Sequence, residues 1–203
     1  MDQRFVERLV RRALEIEVDV PTNLLPPLSS YYELLKSWNR RINLTGFSLD
    51  NPTDQALDRL MLEPLAAARL VDDSRFVWFD LGSGGGSPAI PLRLAKPALQ
   101  LTMVEARGRK ASFLREAIRE LRLSDVAVVQ SRFEELDVDR KAELVSVRAV
   151  KCTPELFEVL SRLLVPGGRV LLFGAETLAP TGFEMCGKHE VTRSATVTVL
   201  AKS

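Results

Sequence analysis

The sequence predicts an α/β protein: a doubly wound, mostly parallel seven-stranded sheet carrying an N-terminal helical cap. Three observations predict it. Short apolar runs alternate with amphipathic helical stretches from Phe76 to Phe173; a glycine-crowded turn closes the first of those runs; and the tail from Gly182 to Ala201 reads as two closing strands. Alternation of this kind puts ligands at the carboxyl ends of the strands. At 203 residues the chain is long enough for one good core and short for two. Residues 1–70 are therefore expected as a cap packed on a sheet domain of residues 71–203.

Taken in order, Phe5, Leu9, Ala13 and Ile16 recur at helical spacing among arginines and glutamates, predicting a short amphipathic helix. The Val18-Asp19-Val20-Pro21 piece and Pro26-Pro27 break the chain. A second helix is predicted from Leu28 to Ile42. Tyr32, Leu35 and Trp38 share one face, and Arg40 and Arg41 sit near its end, where cations complement the macrodipole. Asn43-Leu44-Thr45-Gly46 ends it, and Asn51-Pro52-Thr53 caps a third helix from Asp54 to Leu70. Phe76 to Phe79 is the first strand, ending in Asp80. Leu101 to Val104 is the second, Val126 to Val129 the third, Ala142 to Val147 the fourth, ending at Arg148, and Arg169 to Phe173 the fifth. Helices are predicted from Arg109 to Leu121, with Phe113, Leu114, Ala117, Ile118 and Leu121 inward, and from Pro154 to Leu164, with Thr153 as cap.

Composition narrows the chemistry. Hydrophobic content of 46% and charged content of 27% are those of an ordinary globule. A net charge of +1 neither announces nor excludes a nucleic-acid partner, because binding needs a local patch rather than a global excess. Cys152 and Cys186 lack metal-ligand spacing and His189 is the single histidine, so no metal is expected. No apolar run approaches the about 18 residues of a membrane span. The charged N-terminus lacks a signal-peptide core, so a cytoplasmic protein with no membrane partner is expected.

The first strand ends in Asp80 and a turn where Gly82, Gly84, Gly85 and Gly86 crowd together. Without Cβ atoms such a loop takes positive φ and lets a ligand rest on the backbone, while the helix after it presents free N–H groups. Alone this is a weak signal, since structural turns use the same residues. Glu105, however, closes the second strand about 20 residues on, where a carboxylate hydrogen-bonds a nucleotide ribose. Asp80 before the loop favours a cationic amino-acid moiety over a pyrophosphate. No Gly-Lys-Ser or Gly-Lys-Thr closes the loop, which excludes a P-loop. Together these features point to a nucleoside carrying an amino acid. Asp80 with the glycines, Glu105, Phe133 with Glu134, and Arg148 all fall at strand ends and open on one edge.

The string Asp80-Leu81-Gly82-Ser83-Gly84-Gly85-Gly86 resembles motif I of class I S-adenosylmethionine-dependent methyltransferases. Further strings extend the likeness: Ser87-Pro88-Ala89-Ile90-Pro91-Leu92, Arg109-Lys110-Ala111-Ser112-Phe113-Leu114, Arg132-Phe133-Glu134-Glu135, Val147-Arg148-Ala149 and, upstream, Trp38-Asn39-Arg40-Arg41-Ile42-Asn43-Leu44-Thr45. With them the chain is similar to the glucose-inhibited division protein B family over residues 30 to 175. The resemblance implies a Rossmann-like fold and S-adenosyl-L-methionine as cofactor. It also implies methylation of N7 of one guanine in bacterial 16S small-subunit ribosomal RNA, free or in its assembly particle, by a monomer. Gly82, Ser87, Phe133, Glu134 and Arg148 would contact the cofactor and Glu105 its ribose. With Asp80, Ser83, Gly84 and Gly86 these form the candidate cofactor site, and Arg148 is also the candidate catalytic residue. Lys110, Arg132 and Lys151 would face RNA.

Four departures from the family pattern stand out. Asp54 to Leu70 carries Arg59 and Glu63-Pro64 where the family has an Arg-His pair followed by Asp-Ser, and Ala89 replaces a glycine. Phe173 replaces a lysine at the end of the fifth strand, and little room follows Gly174 for a last helix. Guanine N7 has a lone pair and no proton to remove, so the implied reaction needs no general base. Methylation of a small molecule or protein, or cofactor binding without catalysis, are the alternative readings. A contiguous basic patch beside the loop distinguishes the RNA enzyme from them.

Overall fold

The computed structural model describes residues 2–74, 76–136, 140–175 and 177–203. Its strands are β1 (Val77–Leu81), β2 (Gln100–Val104), β3 (Val126–Val129), β4 (Ala142–Arg148), β5 (Leu164–Phe173), β6 (Phe183–Thr192) and β7 (Ala195–Lys202). They form one sheet in the order β3-β2-β1-β4-β5-β7-β6. The first five run parallel, and β7 lies antiparallel between β5 and β6. Every residue of β1 is buried, as a strand covered on both faces requires. Its alternate side chains feed two apolar clusters. Trp78 joins Leu101, Met103, Ile90 and Phe113 on one face; Val77, Phe79 and Leu81 join Val145, Leu160 and Leu163 on the other.

The helices are α1 (Gln3–Glu15), α2 (Leu25–Asn39), α3 (Asp54–Leu57), α4 (Glu63–Ala67), α5 (Ala89–Ala95), α6 (Gly108–Glu120) and α7 (Pro154–Leu163). Asp2 caps α1 by accepting from the Arg4 and Phe5 N–H groups. Phe5 then stacks on Tyr32 with centroids 4.1 Å apart, so Leu9 of α1 and Leu28 and Leu35 of α2 share the apolar cluster of Trp78. The Arg12 guanidinium forks onto the Asp58 carboxylate, Nε to Oδ1 at 2.9 Å and Nη2 to Oδ2 at 2.7 Å.

Several boundaries differ from expectation for identifiable reasons. α2 begins at Leu25, because prolines in a first turn forgo N–H groups that have no helical partner anyway. It ends at Asn39, whose Oδ1 accepts from the Leu44 and Thr45 N–H groups at 2.9 and 3.0 Å. β5 starts at Leu164 rather than Arg169, since Val165 to Gly168 enter the sheet through a register shift opposite Ala142 and Leu144. The single helix expected from Asp54 to Leu70 is interrupted by a π-helical turn, Asp58–Leu62, and finishes in a 3₁₀ turn, Ala68–Leu70.

Candidate functional site

At the carboxyl ends of the parallel strands the order reverses between β1 and β4, opening a crevice. From Leu81 the chain passes through Gly82 (φ +72°), Gly84 (φ +54°) and Gly86 (φ +86°), left-handed angles that favour glycine. The N–H groups of Gly82 and Ser83 donate to the Val104 carbonyl at 2.9 and 3.1 Å, and Ser83 Oγ donates to the Asp80 carbonyl at 2.9 Å. Glu105 completes the corner. Its Oε2 accepts from the Gly84 N–H at 2.9 Å and its Oε1 from the Arg107 N–H at 2.8 Å. Each oxygen keeps acceptor capacity after one such bond. The carboxylate therefore ties down the loop while Glu105, only 7% exposed, still lines the neighbouring cleft.

Beside it lies a cleft of about 620 Å³ lined by Gly82, Glu105, Arg107, Arg132, Phe133 and Glu134, among others. That volume is within the range of small-molecule sites. Phe133 opens the 3₁₀ turn Phe133–Glu135 and is half-buried; Glu134 is exposed, its carbonyl accepting from Arg162 Nη2 at 3.0 Å. Arg107 and Arg132 are exposed at the rim and have no carboxylate partner among the described residues.

Asp80 lies behind the loop with 1% of its surface exposed. The parallel register sets it opposite Ser146, whose Oγ donates to Asp80 Oδ1 and accepts from Trp78 Nε1 at 2.9 Å. Asp80 Oδ2 is buried without a partner among the described residues. Burial raises the pKa of this carboxyl above the usual carboxylate range, opposed chiefly by the Ser146 hydrogen bond.

The Arg148 side chain, 8% exposed, fills the far side. Its Nη1 donates to the Arg59 carbonyl at 2.5 Å and to Ser87 Oγ at 3.0 Å, its Nη2 pairs with Glu63 Oε2 at 3.0 Å, and its guanidinium sits 4.5 Å above the Phe173 ring. Burial brings its pKa down to about 10, with Glu63 pulling the other way, so the side chain stays charged near neutrality. Its Nε has no partner among the described residues.

The carbonyls that hold Arg148 and Ser87 are free because of Pro64. In the π-turn the Glu63 N–H bonds back to the Asp58 carbonyl. The Leu60 carbonyl would next receive an α-helical bond from residue 64, and the Arg59 carbonyl a π-helical one; proline has no N–H to give. Ser87 Oγ supplies the missing donor, reaching the Leu60 carbonyl at 2.9 Å and the Arg59 carbonyl at 3.3 Å.

The structure thus brings Gly82, Glu105, Arg132, Phe133 and Glu134 around one cleft, with Asp80, Ser83, Gly84 and Gly86 forming the corner behind it. Ser87 and Arg148 do not line that cleft: the Ser87 O–H is spent on two carbonyls and Arg148 is engaged by Glu63. Lys110 Nζ stands 4.0 Å from where a Cβ on Gly84 would lie, over the loop itself; Lys151 is exposed past β4. Sequence reading missed Tyr31, whose buried hydroxyl donates to the Gly85 carbonyl at 2.6 Å across 54 residues. It also missed that two departures from the family pattern, Glu63 and Phe173, meet on Arg148. The proline within the third predicted helix was the available signal.

A family model described as rRNA small subunit methyltransferase G matches residues 25–189. The chain belongs to the rRNA small subunit methyltransferase G family. Relatives named ribosomal RNA small subunit methyltransferase G come from Stenotrophomonas maltophilia, 40% identical over 148 residues (73% of this chain, 68% of the relative), and Xanthomonas oryzae pv. oryzae, 34% identical over 194 residues (92% and 88%). Among solved structures, precorrin-6y C5,15-methyltransferase from Geobacter metallireducens superposes with TM-score 0.52 at 18% identity, covering 70% of this chain and 87% of that one. TehB from Haemophilus influenzae gives 0.54 at 14%, covering 70% and 62%. These last two likenesses concern the fold alone.

The methyltransferase G family uses S-adenosylmethionine as methyl donor, and the residues present fit it. The buried, unpartnered Asp80 Oδ2 behind the glycine loop would complement the ammonium of an amino-acid zwitterion. A Cβ built on Gly84 would meet the Gly82 carbonyl oxygen at 3.7 Å and Lys110 Nζ at 4.0 Å, ordinary contact distances, so the loop is not packed tightly from that side. Glu105 retains acceptor capacity for two ribose hydroxyls.

Proposed function

We propose that this chain methylates N7 of a guanine in bacterial 16S ribosomal RNA, free or in an assembling small-subunit particle. The observation that carries this reading is the family match over residues 25–189, which spans the glycine corner, Glu105 and the cleft. Bound S-adenosylmethionine supplies an already activated methyl group, so the protein's work is orientation and electrostatics. Glu105 would hold the ribose, Phe133 and Glu134 would flank the base, and Asp80 would neutralise the ammonium. Arg148 acts from behind the loop, where its Nη1 and Nη2 keep the π-turn, Ser87 and β4 in one arrangement. No residue needs to take a proton from guanine N7, and His189 lies on β6 at the sheet's edge, far in order from β1. Arg107 and Arg132 at the cleft rim, with Lys110 over the loop and Lys151 beyond β4, supply cations for the RNA backbone. The chain acts as a monomer in the cytoplasm, where that substrate resides. Among the described residues no helix is long and apolar enough to cross a membrane, and no three His, Cys, Asp or Glu side chains are grouped as a metal site would need.

Labelled S-adenosylmethionine incubated with small subunits from a strain lacking the modification is expected to label the RNA, with the label in a 7-methylguanosine. Bound cofactor without transfer to that RNA overturns the reading.

A further inference from the structure

A second cavity, of about 330 Å³, opens between the end of α2 and the start of α6, lined by Ser37, Trp38, Arg41, Ile42, Arg109 and Ser112. It shares no residue with the cofactor cleft, yet both are fed by the start of α6: its N-cap Arg107 lines the cleft and Arg109 of its first turn the second cavity. Trp38 is half-buried and braced edge-on by Phe113, with ring centroids 5.8 Å apart at 65°. Arg41 and Arg109 are exposed, and neither has a carboxylate partner among the described residues.

The placement of charge runs against helix stability. The first turn of α6 holds Arg109 and Lys110 and no acidic residue, and its N-cap is Arg107, with no side-chain cap among the described residues. Cations at the positive end of a helix dipole are unfavourable, whereas Arg41, across the cavity, lies just past the C-terminus of α2, where a cation is favourable but adds to the positive charge facing the cavity. An anion between them offsets the cost at α6 and pairs with both guanidinium groups. The same cavity has an aromatic and an aliphatic side chain in its lining, which inorganic phosphate alone does not use. A base carrying a phosphate uses both, by stacking on the aromatic ring and by charge-assisted hydrogen bonds to the guanidinium groups. A volume at the low end of ligand sites suits one unstacked nucleotide and not a duplex. An apolar peptide anchor would strand two guanidinium groups, and the exposed large apolar side chains, Leu14, Leu178 and Met185, lie elsewhere.

We propose that this cavity is a second nucleotide subsite, which takes an unpaired nucleotide of the substrate RNA neighbouring the target. The base stacks on Trp38, and its phosphates are held by Arg41 and Arg109. The assignment rests on the RNA-methyltransferase reading and adds to it a single-stranded segment held outside the cofactor cleft.

The test uses the full chain and the variant Arg41→Ala/Arg109→Ala, with folding checked by circular dichroism. Trp78 is fully buried, so quenching of tryptophan emission by an added purine RNA hexamer reports on Trp38. Saturable quenching is expected in the parent and its loss in the variant. In methylation assays KM for RNA should rise about ten-fold, with affinity for S-adenosylhomocysteine unchanged by calorimetry. The slope of log affinity against log salt should flatten by roughly 1.4, about 0.7 for each phosphate that the variant no longer neutralises. An unchanged KM in a variant whose parent methylates RNA overturns the subsite and leaves the enzymatic reading standing. A parent that quenches with the hexamer but methylates no RNA keeps the subsite and removes the enzymatic reading. Equal quenching by tripolyphosphate overturns the stacking assignment.

Discussion

Burial holds the Asp80 carboxyl above its ordinary range while Oδ2 lacks a partner among the described residues, so ionising it destabilises the unliganded fold. The sign follows from linkage. A carboxyl whose folded pKa is raised binds more protons folded than unfolded between its ordinary value and the raised one, so the stability it contributes is lost as pH climbs through that window. Asp80→Asn removes the charge and keeps an acceptor for Ser146 Oγ. The unliganded variant should therefore melt at a higher temperature near neutral pH than the parent. Its cofactor affinity should fall by roughly 10- to 100-fold, the worth of a hydrogen bond to a charged group. Calorimetric titration giving an unchanged affinity would remove Asp80 from the ammonium site. Asp80 and Glu105 were both legible as candidates from their positions at strand ends. Asp80's missing partner was not, because it depends on which residue of β4 lies opposite.

The glycine corner is held by other elements as much as by its own turn. α2 reaches it through the Tyr31 hydroxyl on the Gly85 carbonyl, and the interrupted helix around Asp58–Leu62 reaches it through Ser87 and Arg148. Tyr31→Phe leaves a half-buried carbonyl without its donor, which costs about 1 kcal/mol. Cofactor affinity should fall with stability, because the freed carbonyl lies within the binding loop. A variant that loses stability yet binds S-adenosylhomocysteine as tightly as the parent would show that the corner keeps its shape without α2. Strand positions and the N-cap at Thr153 were readable because they follow local periodicity and capping chemistry. The π-turn was not, since its two freed carbonyls are tolerable only where Ser87 and Arg148 arrive to meet them.

Across the whole molecule, α1 is fastened to the interrupted helix by the forked Arg12–Asp58 pair, and Asp58 is only 4% exposed. The Asp58 carboxylate in turn holds the Arg12 guanidinium pKa above its usual value. Arg12→Ala strands a nearly buried carboxylate, and urea titration should show a loss of about 3 kcal/mol. A loss below about 0.5 kcal/mol, ordinary for a surface change, would mean that α1 is dispensable for the fold. The sequence by itself determined the alternating strands and helices, the glycine-crowded corner and the acid that closes β2. Each of these is encoded by hydrophobic period, by residues without Cβ atoms, or by spacing within one strand-turn-helix unit. Only the tertiary structure decided that Arg148 spends its planar nitrogens on Glu63, Ser87 and the Arg59 carbonyl, that Tyr31 ties α2 to the corner, and that Trp38 meets Arg109 across a cavity. Those pairings join side chains far apart along the chain, and local pattern carries no information about which distant groups the packed core brings within reach.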